Sequence, residues 1–252
     1  MRRSKERRED MLQAIAAGES DVRILSERFG VSESTVRRDL QRLSRKKAIM
    51  RTYGGAMIAT SGFEDNFSER EKVNLAAKRS IALCAREEIQ DGETIILDGG
   101  STVAALARVL TGRKLTVVTN NLMLVPIFAD SPDVRLVILG GEVRTISMST
   151  SGSLAENALK WLTATRYFTS ADGIVAGLGL CEATFDQIAI KRSMANRSCY
   201  RYVLADASKL GNAGQNVWME LDPSWTLITD GSGKDIAPFT NEGLKVLSSH
   251  YP

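Results

Sequence analysis

From residue 74 onward, short apolar runs alternate with stretches of helical spacing, and this alternation restricts the fold more than any other feature. The apolar runs lie at 94–97, 115–119, 134–139, 166–171, 200–205 and 226–229, and each is short enough for a strand. Helices are expected near 74–90, 102–110, 121–129, 152–163 and 184–197. Strands joined by helices at this spacing predict an α/β domain over 71–252, built on a mostly parallel sheet covered on both faces.

The first 57 residues follow a different pattern. Met11, Leu12, Ile15 and Ala16 recur at helical spacing within 4–17, and Gly18 stops that helix. Asp21 can cap a second helix with Leu25 and Phe29 inward, and Gly30 permits a tight turn. Ser32 can cap a third helix reaching about Lys47, with Val36, Leu40 and Leu43 as its apolar stripe. The segment from Ile49 to Tyr53, followed by Gly54-Gly55, reads as strand, turn and return, a wing beside the helices. Polar residues 58–70 read as a linker to the α/β domain.

Charge separates the same two regions. Residues 1–57 hold 14 Lys and Arg against 8 Asp and Glu, whereas the whole chain carries only +3. A basic head on a mildly acidic body suggests a module that binds a polyanion. The short helix, glycine turn and longer basic helix have helix-turn-helix proportions, and the second helix of that motif enters the major groove. Ser32, Ser34, Thr35, Arg37 and Arg38 stand at its N-terminal end, where hydroxyls and guanidinium groups reach base edges or phosphates. Arg42, Arg45, Lys46 and Lys47 suit backbone phosphates, and Arg51 and Tyr53 sit where a wing touches the flanking groove. Asp39 is expected to pair with the neighbouring arginines on its own helix.

Composition removes several other classes. With 43% hydrophobic and 25% charged residues, a wholly disordered or collagen-like chain is excluded. No apolar run approaches the ~18 residues of a membrane span, and the basic N-terminus has no apolar stretch behind it. The expectation is a cytoplasmic protein, in keeping with three widely spaced cysteines, Cys84, Cys181 and Cys199. A single histidine, His250, argues against a histidine-based triad or metal site. No catalytic residue, metal or cofactor is assigned.

The string from Leu25 to Leu40, Leu-Ser-Glu-Arg-Phe-Gly-Val-Ser-Glu-Ser-Thr-Val-Arg-Arg-Asp-Leu, followed by Arg51-Thr-Tyr-Gly-Gly-Ala56, resembles the DNA-binding head of the DeoR family of bacterial transcription regulators. That resemblance implies a winged helix-turn-helix over 1–57 and a C-terminal effector-sensing domain.

In the body, Asp98-Gly99-Gly100-Ser101-Thr102 follows a predicted strand and opens a predicted helix. Free backbone N–H groups, a helix N-terminus and two hydroxyls suit a phosphate, and Asp98 can accept from a sugar hydroxyl. Further polar clusters fall at strand ends: Asn120-Asn121, Gly140-Gly141 with Arg144, and Asp172-Gly173. In an open parallel sheet that edge binds ligands. Lys191-Arg192 and Asp206-Ala-Ser208-Lys209 offer cations. These strings also resemble the DeoR sensor domain, whose fold is similar to that of sugar-phosphate isomerases and whose usual effectors are phosphorylated sugars or polyols. The resemblance assigns effector contacts to Asp98, Gly100, Ser101, Thr102, Asn120, Asn121, Gly141, Arg144, Asp172, Gly173, Lys191 and Lys209. Two positions depart from the family pattern: Gln187 replaces a usual Glu, and Cys181 replaces a frequent Thr.

The leading expectation is therefore a DNA-binding repressor of a sugar or polyol operon, working as a homo-oligomer and answering to a phosphorylated metabolite. An isomerase or deaminase of sugar phosphates with a basic appendage is the alternative, since Asp98, Asp172, Glu182 and Asp206 offer candidate bases. A nucleic-acid scaffold with no ligand would leave the glycine-rich loops unexplained.

Overall fold

The computed structural model describes residues 7–8, 10–11, 14–15, 19, 21–45, 49–52, 55–58 and 65–249. The chain divides into two units, Met1–Phe63 and Glu64–Pro252.

In the first unit, α1 spans Val22–Phe29 and α2 spans Glu33–Arg45. Asp21 caps α1 by accepting from the N–H groups of Arg23 and Ile24. Gly30 ends it at φ 58°, a left-handed conformation that costs a glycine little. Met11, Ala14, Ile15, Val22, Leu25, Val36, Leu40 and Leu43 form one buried cluster, so the apolar stripe expected on α2 is the stripe that packs. Strand β1, Ile49–Thr52, pairs antiparallel with β2, Gly55–Ile58, in the register Thr52↔Gly55, which gives the wing its backbone. Tyr53, Lys46 and Lys47 lie outside the described residues, as does most of the first expected helix.

The expected linker is partly structured. Helix α3, Phe67–Lys72, is capped by Asn66, and Phe67 is buried in the core of the second unit. The polar composition of the segment obscured this apolar anchor. Helix α4 follows at Leu75–Glu87.

The second unit centres on a seven-stranded sheet. Its strands are β3 (Thr94–Leu97), β4 (Leu115–Thr119), β5 (Val134–Ile138), β8 (Ala164–Thr169), β11 (Ser198–Leu204), β13 (Trp225–Thr229) and β14 (Lys245–Ser248). Their order is β14-β13-β11-β8-β3-β4-β5, with every neighbour parallel. Successive side chains alternate faces. Ile95, Leu97, Val117 and Phe168 therefore pack with α4, α5 (Ser101–Val109) and α6 (Leu124–Phe128). Ile96, Val118, Tyr167 and Val203 face the other way, toward α7 (Ser153–Leu159), α8 (Phe185–Ala195) and α9 (Ala237–Asn241). Two small antiparallel sheets complete the unit: β6 (Glu142–Arg144) with β7 (Ser149–Ser151), and β9 (Gly173–Val175) and β12 (Val217–Met219) on either side of β10 (Gly179–Glu182).

From β3 the chain builds outward through β4 and β5, then returns to β8 on the opposite side of β3 and builds the other half. The carboxyl ends of β3 and β8 therefore face a topological switch point, where open α/β sheets leave a crevice.

Candidate effector site and DNA-reading helix

The residue after β3 organises the crevice. Asp98 is buried, and its carboxylate takes four donors. Oδ1 accepts from the Gly99 N–H at 2.6 Å. Oδ2 accepts from Tyr167 Oη at 3.1 Å, Thr169 Oγ1 at 2.6 Å and Lys191 Nζ at 2.6 Å. The acceptor capacity expected to meet a sugar hydroxyl is thus taken up internally, and Asp98 acts as a structural hub.

Lys191, from α8, is equally occupied. Besides Asp98 it bonds Thr169 Oγ1 and the carbonyl of Ser170, and it lies 3.0 Å from Glu182 Oε1. Burial works against its charge, but Asp98 and Glu182 outweigh burial and raise its pKa. The free counter-charge expected at this position is therefore paired with two carboxylates.

Glu182 ends β10. Burial pushes its carboxyl up to about 7, against the opposing pull of Lys191. Gln187 orients it. The Gln187 Oε1 accepts from the Thr184 N–H at 3.1 Å, forming the capping box of α8, so its Nε2 turns to Glu182 Oε2 at 2.9 Å. A glutamate at 187 could cap the helix but could not donate to Glu182.

Gly100 caps α5 at φ 123°, and a Cβ there would collide with Ser170 Oγ, so only glycine fits. Helix α5 starts with no side-chain cap. Asn121 pins this loop, its Nδ2 lying 3.3 Å from the carbonyls of both Asp98 and Gly100. Asn120 is different. Its Nδ2 donates to the Thr150 carbonyl at 3.0 Å, while Oδ1 is buried without a hydrogen-bond partner among the described residues.

The crevice has two chambers that share Arg70, Ser170 and Ala171. The carboxylate chamber is lined by Asp98, Gly100, Asn120, Arg144, Glu182 and Lys191 among others. The lysine chamber is lined by Lys78, Ser101, Thr102, Asp206, Ser208 and Lys209 among others. Asn121, Gly141, Asp172 and Gly173 line neither chamber. A Cβ on Gly141 would collide with the Ser151 carbonyl, and one on Gly173 with the Asn212 carbonyl. These two glycines serve close packing behind the walls. Asp172 pairs with Arg70 at 3.5 Å. Cys181 is buried, its thiol facing the Asn212 carbonyl at 3.8 Å rather than either chamber.

Sequence reasoning missed Lys78 altogether. The signal was present: a lysine in register with Ile81, Ala82 and Ala85, on the buried face of α4. A charge at that position has to meet a polar cavity or a partner. Arg70, Ser149 and Ser170 were also missed, because nothing local marks them.

In the head, Ser32, Ser34 and Thr35 form a hydroxyl cluster at the start of α2, with Ser32 Oγ 2.9 Å from Ser34 Oγ and 3.0 Å from Thr35 Oγ1. Arg37 pairs with Glu33 at 3.0 Å on the exposed surface. Arg38 and Arg42 are exposed. Asp39 departs from expectation. It is buried, and it binds Arg7, with 2.9 and 2.6 Å contacts, and Arg8 at 3.4 Å, across the helical cluster. Its position on the inner side of α2, next to Leu40, turns it away from Arg37 and Arg38.

The DeoR-like helix-turn-helix domain matches residues 7–62, and the DeoR C terminal sensor domain matches residues 73–231. The chain belongs to the DeoR family of transcriptional regulators. It is a DNA-binding regulator with a sensor domain. It is 34% identical to the uncharacterized HTH-type transcriptional regulator YulB of Bacillus subtilis, over 86% of this chain and 85% of that protein. It is 32% identical to the lactose phosphotransferase system repressor of Streptococcus mutans, over 92% and 94% of the two chains. Among solved structures, ribose 5-phosphate isomerase A of Methanocaldococcus jannaschii is similar with a TM-score of 0.40 and 19% identity, over 54% of each chain. Among the described residues, no cluster suits a metal ion and no helix is long and apolar enough to cross a membrane.

Proposed function

We propose that this DeoR-family chain represses an operon for sugar or polyol use, that a phosphorylated sugar or polyol binds the crevice, and that binding weakens its grip on operator DNA. The observation that carries the reading is the Oδ1 of Asn120, buried and unpartnered among the described residues, in a chamber beside a helix N-terminus with no side-chain cap. Such a buried acceptor calls for a donor from outside the protein. Sugar or polyol hydroxyls supply it, and a phosphate suits the helix end. One of the named relatives supports the operon class, the Streptococcus mutans protein being a lactose phosphotransferase system repressor.

The effector contacts are Ser101, Thr102, Asn120, Arg144 and Lys209, with Asp98, Gly100, Asn121, Gly141, Asp172, Gly173 and Lys191 building the walls. The operator contacts are Ser32, Ser34, Thr35, Arg37, Arg38, Arg42, Arg51 and Tyr53. The chain works in the cytoplasm as a homo-oligomer, dimer or tetramer, because two heads on two half-sites gain the affinity that one short helix lacks. We read it as a regulator rather than an enzyme: its relatives are transcriptional regulators, and Asp98, one of the candidate bases, is locked into a buried network with Lys191.

The test is operator binding by the full chain against a panel of phosphorylated sugars and polyols, with each compound followed by NMR for turnover. Release of DNA without turnover supports the proposal. Turnover would establish the isomerase alternative.

A further inference from the structure

We infer that helix α3 carries effector occupancy to the head, and that Arg70, which pairs with Asp172, is its latch: an anionic ligand competes with Asp172 for the guanidinium. The inference rests on the effector class proposed above.

Position singles out α3. The head unit ends at Phe63 and α3 begins at Phe67, so it is the first helix of the sensor unit and any turn of it acts on the connecting chain. It has six residues, with Phe67 buried. Its other ties go to the walls of the crevice. The Phe67 N–H donates to the Ile146 carbonyl at 2.8 Å, between the strands that bring Arg144 and Ser149 to the carboxylate chamber. The Arg70 carbonyl accepts from Lys78 of the lysine chamber, and Glu71 pairs with Arg108 of α5. At the corner into α4, Asn74 is left-handed at φ 53°, a conformation asparagine tolerates, and its Nδ2 donates to Asp206 Oδ1 at 2.9 Å. Both chambers thus hold this helix.

The latch is loose where it has to be. Ser170 and Ala171, which the chambers share with Arg70, are neutral, and Arg70 brings the charge. Its Nη1 lies 3.5 Å from Asp172 Oδ1, longer than the roughly 2.7–2.9 Å of a charge-assisted hydrogen bond. Asp172 Oδ2 also accepts from Gln215 Nε2 at 3.1 Å, so the carboxylate keeps a donor when the guanidinium leaves. A phosphate offers that guanidinium a bidentate partner. Turning Arg70 toward it rotates α3 about Phe67. A ligand acts at a distance through an element whose equilibrium both sites bias. Here Arg70 biases α3 from the crevice, and the chain at 64–66 biases it from the head.

The experiment compares the full-length wild type with Arg70→Gln, Asp172→Asn and the double variant. Operator affinity is measured by anisotropy without added phosphate, and inorganic phosphate is titrated by calorimetry. Breaking the latch from either side should weaken operator binding about fivefold or more, and the double variant should lose no more than the worse single one. Charge alone predicts otherwise, because removing the Asp172 carboxylate would favour DNA. Phosphate should bind about tenfold more weakly to Arg70→Gln and more tightly to Asp172→Asn, whereas simple loosening of the fold would weaken both. Asp172→Asn keeps the shape of the side chain, so it tests the latch even if Arg70→Gln fails to fold. Wild-type operator affinity in Asp172→Asn would overturn the inference. So would phosphate binding that weakens in both variants, or a wild type that binds no phosphate. If the variants behave as expected while no phosphorylated sugar or polyol releases DNA, the latch stands and the effector class is wrong.

Discussion

Lys191 Nζ lies 2.6 Å from Asp98 Oδ2, joining the end of β3 to helix α8 across the switch point of the sheet. Both side chains are buried, with Glu182 as the second carboxylate on the same ammonium. Removing the cation leaves two buried carboxyl groups uncompensated, and breaking a buried pair in this way costs about 3–5 kcal/mol. Lys191→Met should therefore lower the melting temperature of the sensor domain sharply. Adding Glu182→Gln should recover part of the loss. A Lys191→Met protein that melts with the wild type would remove the hub role.

Glu182 gives the domain a pH dependence of known sign. Its folded pKa, about 7, lies above the ordinary carboxyl value of 4.5. The folded state thus binds the proton more tightly than the unfolded one. This contribution to stability is fully present below about pH 4.5 and is lost as pH rises through about 7. In thermal scans from pH 5 to 8, Glu182→Gln should gain on the wild type as pH rises. Parallel curves for the two proteins would show that Glu182 titrates normally.

In the head, Arg38 is exposed near the start of α2, where a recognition helix meets base edges. Arg38→Ala should cost about 1–3 kcal/mol of operator affinity if it reads a base, and should relax sequence preference at one position. A purely phosphate-bound arginine would instead weaken all sequences alike. Unchanged operator binding in anisotropy titrations would misplace the helix.

Asp39 should matter for stability instead. It is buried between α2 and Arg7 and Arg8. Hydrogen bonds to charged groups contribute about 1.5–3 kcal/mol, so Asp39→Ala should loosen the head and reduce DNA binding through partial unfolding. Sensor-domain melting should be unaffected. Proteolysis should cut the variant's head faster than the wild type's. Equal rates would mean the arginine contacts contribute nothing.

Much of the architecture was readable because it rests on periodicity. The helical stripe of Val36, Leu40 and Leu43 and the six apolar runs of the sheet declare themselves locally. Strand β14 was not foreseen: Lys245–Ser248 is a half-buried edge strand with little apolar signal. The three-residue strands β6, β7, β9 and β12 are too short for any period to show. Within the site, the loop at 98–102 was legible because its glycines sit between a strand and a helix. What each side chain does there was not. Asp98 and Lys191 look like free ligands in sequence, and only their separation of 93 positions closing to one contact shows that they satisfy each other. Asp39 was assigned to the wrong arginines for the same reason, its partners lying 31 and 32 positions away.

A phosphorylated ligand in the crevice should set operator affinity. Allosteric coupling of about 1–3 kcal/mol gives a 5- to 150-fold change. The decisive comparison is operator affinity of the full chain, with and without a phosphorylated sugar or polyol that shifts its melting temperature, for the wild type and for Ser101→Ala/Thr102→Ala. The wild type should release DNA within that range, and the variant should bind DNA as tightly as the wild type yet ignore the ligand. A variant that responds as the wild type does would refute coupling through this crevice.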